Sequence, residues 1–234
     1  MSQPGRGGVG DCLAFNNGQH YYGPMARTSG PETRDKLIRA GEEVFAAQGV
    51  HGAQLRDIVR LAGQSNPSAV QYHFGSRAGL LDAVMAERQS RTEKVLTAEL
   101  ARADDNGLRG LLRALVTAEA TELRTERGRR CLRISTQLSH ESGVRTRTPH
   151  PTLDGTVYWD LISRVEECLA SQLPEPVRLE RLDLALTLVG AAMADRAGQY
   201  LAGATPLTDE DLFLADLVET TTALLRAPVP RREP

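Results

Sequence analysis

The sequence predicts an all-α protein, with a short helix-turn-helix unit near its N-terminus and a larger helical unit behind it. Three observations carry that expectation. Apolar residues recur at three- and four-residue steps from Leu37 to Leu225. No convincing period-two alternation interrupts them, and aromatic residues make up only 4% of the chain, too few for a sandwich or barrel. Glycines, prolines and capping side chains divide the periodic stretches into helix-sized pieces.

Residues 1–28 are rich in Gly, Asn and Pro without a sustained period and read as a flexible extension; Met25 opens MARTSGPETRDKL and reads equally well as a natural start. Ser29-Gly30-Pro31-Glu32 fits a capping box, in which hydroxyl and carboxylate each satisfy an orphan backbone N–H. Leu37, Ile38, Gly41, Val44 and Phe45 then share one face, and Gly49 sits where a C-cap is expected. Two short helices follow, at 54–62 and 67–74, separated by Gly63-Gln64-Ser65-Asn66, with Leu55, Ile58, Leu61, Val70 and Phe74 as their core and Val59 half-buried. Gly75 breaks the chain, Ser76 caps the next helix, and Leu80, Leu81, Val84 and Met85 give it an apolar face running on to Arg102.

Later helices are expected at 108–126, 129–140, 152–172, 175–201 and 209–226, divided by Gly107, Gly128, the loop 143–151, Pro174 and the turn 203–206. The expected division is an extension at 1–28, a helix-turn-helix domain at 29–90, a helical ligand-binding and dimerisation domain at 91–226, and a flexible tail at 227–234. The helix at 175–201 is apolar on two sides, one carrying Leu182, Ala185, Leu186, Val189 and Met193, the other Leu184, Leu188, Ala191 and Ala192. A helix apolar all round is buried all round, which a second subunit achieves most simply. A two-fold homodimer is therefore expected, with a four-helix interface drawn from Leu182, Leu186, Val189, Met193, Leu214, Leu217, Val218, Thr221 and Leu225.

Bulk properties narrow the classes. A chain of 234 residues with a net charge of −2 has no global electrostatic pull toward nucleic acid or an anionic membrane, so any DNA contact must be local. The first residues lack a signal-type apolar run, and the stretch 184–194 is too short to cross a bilayer, so a cytoplasmic protein without a membrane partner is expected. Cys12, Cys131 and Cys168 form neither a CxxC pair nor a disulfide framework. His140, Glu141 and His150 lack a regular metal-ligand spacing, and no cofactor motif is present. The arginines at 124, 127, 129, 130 and 133 read as a solvated cluster near helix ends.

The most informative stretch is AGQSNPSAVQYHFGSRAGLLDAV, residues 62–84. Its third helix suits DNA on chemical grounds. Gln71 has the geometry for a two-pronged contact with adenine, Asn66 and Ser68 reach base edges or phosphates, and Ala69 fits against a thymine methyl. Tyr72 and Arg77 are placed to bond phosphates, with Arg56 touching backbone. Gln54, Ser65, Pro67 and His73 complete this expected surface, His73 with a packing role as its alternative.

The triplet Tyr72-His73-Phe74, the turn Gly75-Ser76, the basic Arg77 and the helix start Leu80-Leu81 resemble the TetR family of bacterial regulators, as does RDKLIRAGEEVFAAQGV at 34–50. The resemblance covers about residues 31–90 and departs from the family pattern at Ala53-Gln54 and Ala78-Gly79. It implies double-stranded DNA as a partner, repression as the more frequent outcome, and a small-molecule cavity in the helices after the fourth. Candidate lining residues are Leu112, Leu115, Ile134, Gln137, Leu138, Tyr158, Trp159 and Ile162, an apolar set with a few polar tips. The alternative is an all-α carrier or enzyme using the same cavity. For an enzyme, the sequence offers no nucleophile-plus-base signature or glycine-rich phosphate loop to name.

Overall fold

The computed structural model describes residues 30–102 and 107–229, and among them every regular element is a helix. In chain order these are α1 (Gly30–Gln48), α2 (Leu55–Leu61), α3 (Ser68–Phe74), α4 (Arg77–Arg102), α5 (Leu108–Ala120), α6 (Glu126–Ser135), α7 (Val157–Leu169), α8 (Glu175–Leu201) and α9 (Glu210–Arg226). Single 3₁₀ turns follow α5 and α6 at Thr121–Arg124 and Thr136–Glu141. The capping-box residue Ser29, the extension 1–28 and the end of the tail at 230–234 lie outside the described residues.

Two apolar clusters organise the chain. Leu37, Ile38, Phe45, Ile58, Val70, Leu80 and Val84 bury the inner faces of α1–α4, and Cys131 and Ile134 of α6 belong to the same cluster. The second cluster draws on α5, α7, α8 and α9, with Leu96 contributed from the far half of α4. Because α4 runs unbroken from Arg77 to Arg102, the boundary expected after residue 90 falls inside a helix that serves both clusters. Gly49, with φ +81°, turns the chain out of α1, and Gly75, with φ +72°, does the same after α3; other residues strain in that region. Within the first cluster Val59 is buried, whereas Leu61 is 49% exposed, so the expected core membership of Leu61 is not found.

Several boundaries differ from the expected ones for identifiable reasons. Gly128 does not separate helices. It lies in the first turn of α6, where its N–H donates to the Thr125 hydroxyl (3.0 Å) and where a Cβ would meet the Glu122 carbonyl at 2.2 Å. The helix expected from residue 152 starts at Val157, because Thr156 caps it by accepting from the Trp159 N–H (3.2 Å). Glu93 of α4 closes the same end, its two oxygens accepting from Val157 and Tyr158 N–H at 2.9 Å each. The expected tail is anchored at its start: Arg181 donates to the carbonyls of Leu225 (3.3 Å), Ala227 and Pro228 (3.1 Å).

The residues assigned to the subunit interface are placed otherwise. Leu182, Val189, Met193, Leu217, Val218, Thr221 and Leu225 are buried within this single chain, and Leu186 and Leu214 are partly covered by the same cluster. Periodicity showed that α8 has two apolar sides but not which side the chain covers itself. The other stripe is open at Leu184, 54% exposed, and at Ala191, while Leu188 and Ala192 pack partly against the same cluster; α9 leaves Leu212 56% exposed.

Candidate nucleic-acid interface and effector cavity

Helix α3 is short because Asn66 and Gly75 bracket it. The Asn66 Oδ1 accepts from the Ser68 N–H (2.9 Å), a local turn that leads into the helix while the side chain stays exposed. Val70 fixes the inner side at 1% exposure. Ser65, Pro67, Ser68, Gln71 and Tyr72 are exposed, Ala69 and His73 half-buried, and Gln54 and Arg56 of the neighbouring α2 segment also face solvent. Tyr72 is 84% exposed, and its ring meets His73 edge to face at 4.9 Å. It sits one position from Gln71 on the outward surface.

Arg77 is placed differently from the expected phosphate contact. Its Nε donates to the Ala53 carbonyl (3.0 Å), its Nη2 to the Val50 carbonyl, and its guanidinium lies over the Phe45 ring at 5.1 Å. The side chain therefore closes the loop between α1 and α2 onto the start of α4. Arg77→Met is expected to lower stability by about 1–3 kcal/mol in urea denaturation, through lost charged hydrogen bonds and the ring contact. The salt dependence of any duplex binding should stay unchanged, whereas a phosphate ligand would reduce it.

Arg127, Arg129 and Arg130 of α6 are likewise structural, whereas Arg133 is exposed. Arg127 donates to both Glu42 oxygens (2.8 Å) and pairs with Glu87, linking α6 to α1 and α4, while Arg130 pairs with Glu126 and lies 3.8 Å from Glu43. Arg129 donates to the Leu123 carbonyl (2.6 Å) and stacks over Tyr200. Gln137, expected at the cavity, instead accepts from the Val50 N–H (2.9 Å), and Ile134 is buried in the N-terminal cluster. Burial pushes the Cys131 thiol up to about 11, with its sulfur 3.6 Å from Arg91. It is a core thiol.

A cavity of about 170 Å³ lies where α4, α5, the 3₁₀ turn after α6, the loop 150–153, α7 and α8 converge. Of the expected lining residues, Leu115, Leu138 and Tyr158 are there. Leu112 and Ile162 instead line a closed seam between α5, α7 and α8, and Trp159 is packed against the second cluster. The polar residues at the cavity were not anticipated. They include Asp82, Arg88 and Gln89 of α4, Glu119 of α5, Thr136 and Ser139 of the 3₁₀ turn, and His150. The signal was present in α4, where Leu81, Met85 and Arg88 fall at helical spacing on one face, a cation interrupting an apolar stripe. Arg88 is only 6% exposed and pairs with Glu119, itself 8% exposed. Burial opposes its charge, but Glu119 and Glu122 outweigh that and hold its pKa above the ordinary value.

The chain thus combines a helix-turn-helix unit whose α3 faces solvent with a set of later helices that enclose a cavity. Residues 37–84 match the family model described as bacterial regulatory proteins, tetR family, which identifies the N-terminal unit as a TetR-family helix-turn-helix domain. The HTH-type transcriptional regulator SrpR of Pseudomonas putida is 45% identical over 69 residues, covering 30% of this chain and 32% of SrpR. TtgW, also of Pseudomonas putida and described as an uncharacterized HTH-type transcriptional regulator, is 45% identical over 69 residues, 30% of this chain and 51% of TtgW. The chain thus spans about a third and a half of these relatives. A solved Rhodococcus sp. structure described as that of a TetR-family regulator superposes with a TM-score of 0.53 at 17% identity, covering 83% of this chain and 99% of that one, a likeness of fold. No helix among the described residues is long and apolar enough to cross a membrane.

Proposed function

We propose that this chain is a ligand-responsive transcriptional repressor that binds a palindromic operator as a homodimer in the cytoplasm and is released by a small molecule held in the cavity between its helices. The observation that carries the reading is α3 itself: its inner side is locked by Val70, and its outer side presents Ser68, Gln71 and Tyr72 to solvent. Gln71 reads a base, Tyr72 bonds phosphate, and Ser68 with Arg56 sets register. Dimer contact uses the exposed Leu184 and Ala191 of α8 with Leu212 and Ala215 of α9. Two heads entering successive major grooves must lie about 34–36 Å apart, so a cavity occupant that favours another spacing weakens operator affinity.

Selection of random duplexes by the full chain, followed by gel-shift titration of the recovered sequence at two salt concentrations, tests this. An inverted repeat bound by two copies is the expected result; no enrichment above non-specific binding would move the carrier or enzyme reading ahead. Gln71→Ala should cost about 1–3 kcal/mol of discrimination at one base pair and leave the others unchanged. Equal loss on every duplex would assign Gln71 to the backbone instead.

A further inference from the structure

The cavity and the N-terminal helices meet at one short segment. The 3₁₀ turn Thr136–Glu141 follows α6 directly, and Thr136, Leu138 and Ser139 within it line the cavity. Gln137, between them, is turned the other way. Its Oε1 accepts from the Val50 N–H (2.9 Å), and its Nε2 donates to the Arg133 carbonyl (2.9 Å). These two partners settle which end of the amide is which, because the reversed amide would set donor against donor and acceptor against acceptor.

Val50 is held from both sides. It is 4% exposed, lies just past the Gly49 turn out of α1, and its carbonyl accepts from Arg77 Nη2, on the same guanidinium whose Nε donates to Ala53. Arg77 is the first residue of α4, two positions past the Gly75 that closes α3. A continuous chain of hydrogen bonds thus runs from the cavity wall through Gln137 and Val50 to the junction of α3 and α4. Withdrawing the Gln137 oxygen would leave a buried backbone donor unsatisfied, which ties the position of the α1–α2 loop to that of the 3₁₀ turn.

Resting on the effector reading above, we infer that Gln137 is the positioning residue that couples the cavity to the helix-turn-helix. An occupant pressing on Thr136 and Leu138 shifts the 3₁₀ turn, draws the Gln137 oxygen away from Val50 and frees the loop that Arg77 fastens to the α3–α4 junction. The competing route is the wall itself, since Leu81, Met85 and Leu138 line the cavity and also pack against the N-terminal cluster. A push carried by α4 would not need Gln137.

Gly190 of α8 allows an occupant to be built in. It lines the cavity, and a Cβ added there would stand 3.9 Å from Thr136 Oγ1, an ordinary contact distance. The test is amide hydrogen exchange in the full chain without DNA, for Gly190→Leu, Gln137→Met and the double variant. It is read at Val50 and at Ala53, whose N–H bonds the Gly49 carbonyl (3.0 Å). Each single change should speed exchange at Val50 by about tenfold, and adding Gly190→Leu to Gln137→Met should add less than about twofold at either amide. Gly190→Val, a smaller occupant, should give a lesser rise with the same dependence on Gln137, and serves if the leucine variant does not fold. No change at either amide from filling the cavity overturns the inference. So does an equal rise with and without Gln137, which would assign the coupling to the α4 wall. On the duplex recovered by selection, Gly190→Leu should weaken binding at least about tenfold alone and less than about twofold beside Gln137→Met. Because exchange is read without DNA, failure to recover any duplex removes the regulator reading while the exchange series still decides the role of Gln137.

Discussion

Replacing Glu119 with leucine is expected to lower the stability of the full chain by about 3–5 kcal/mol, because it strands the Arg88 guanidinium in the interior. Arg88 is 6% exposed, and its partner contributes the nearest compensating charge. Glu122 also acts on it but is committed to Arg91 through two hydrogen bonds of 2.7 and 2.9 Å. The double substitution Arg88→Met with Glu119→Leu should recover most of the loss, since removing both charges also removes their desolvation. Urea denaturation midpoints at constant slope measure both variants. A loss below about 1 kcal/mol for the single change would mean that water reaches the pair, a surface-like behaviour.

The second large effect is expected at Arg127. Glu42 is only 2% exposed on α1, and Arg127 is the cation that both of its oxygens contact. Arg127→Met should cost about 2–4 kcal/mol, somewhat less than a fully buried pair because the arginine side chain itself keeps 31% exposure. Arg127→Lys should recover less than half, because an ammonium cannot span Glu42 and Glu87 as the planar fork does. Thermal unfolding of the three proteins decides this. Full rescue by lysine would show that net charge, and not the fork, is what the site requires.

How much of this was legible in the residues varies with the range of the interaction. The order of α1–α3 and the position of α8 are local matters of period, caps and glycines, and the structure agrees with them within a residue or so at α2, α3 and α8. The end of α5 and the start of α7 were misplaced because a 3₁₀ turn and a Thr156 cap, backed by a distant Glu93, decide them. The same limit applies to Arg77. Its position beside the α3 turn is sequence-local, but whether the guanidinium points outward or folds onto Phe45 depends on the loop 24 residues earlier whose Ala53 carbonyl it meets. The cavity was least legible, since several separate segments contribute to it and only a convergence in space makes Arg88 and Tyr158 neighbours.

Cys131 and Ile134, each 0% exposed among the side chains of α1–α4, give the N-terminal unit part of its interior from a helix that lies beyond α5 in the chain. The N-terminal helix-turn-helix unit is therefore not a cassette that ends with α4. A chimera that grafts residues 30–102 onto a foreign helical domain would open a hole where two plugs used to sit, and a graft that keeps its fold would need to bring α6 along.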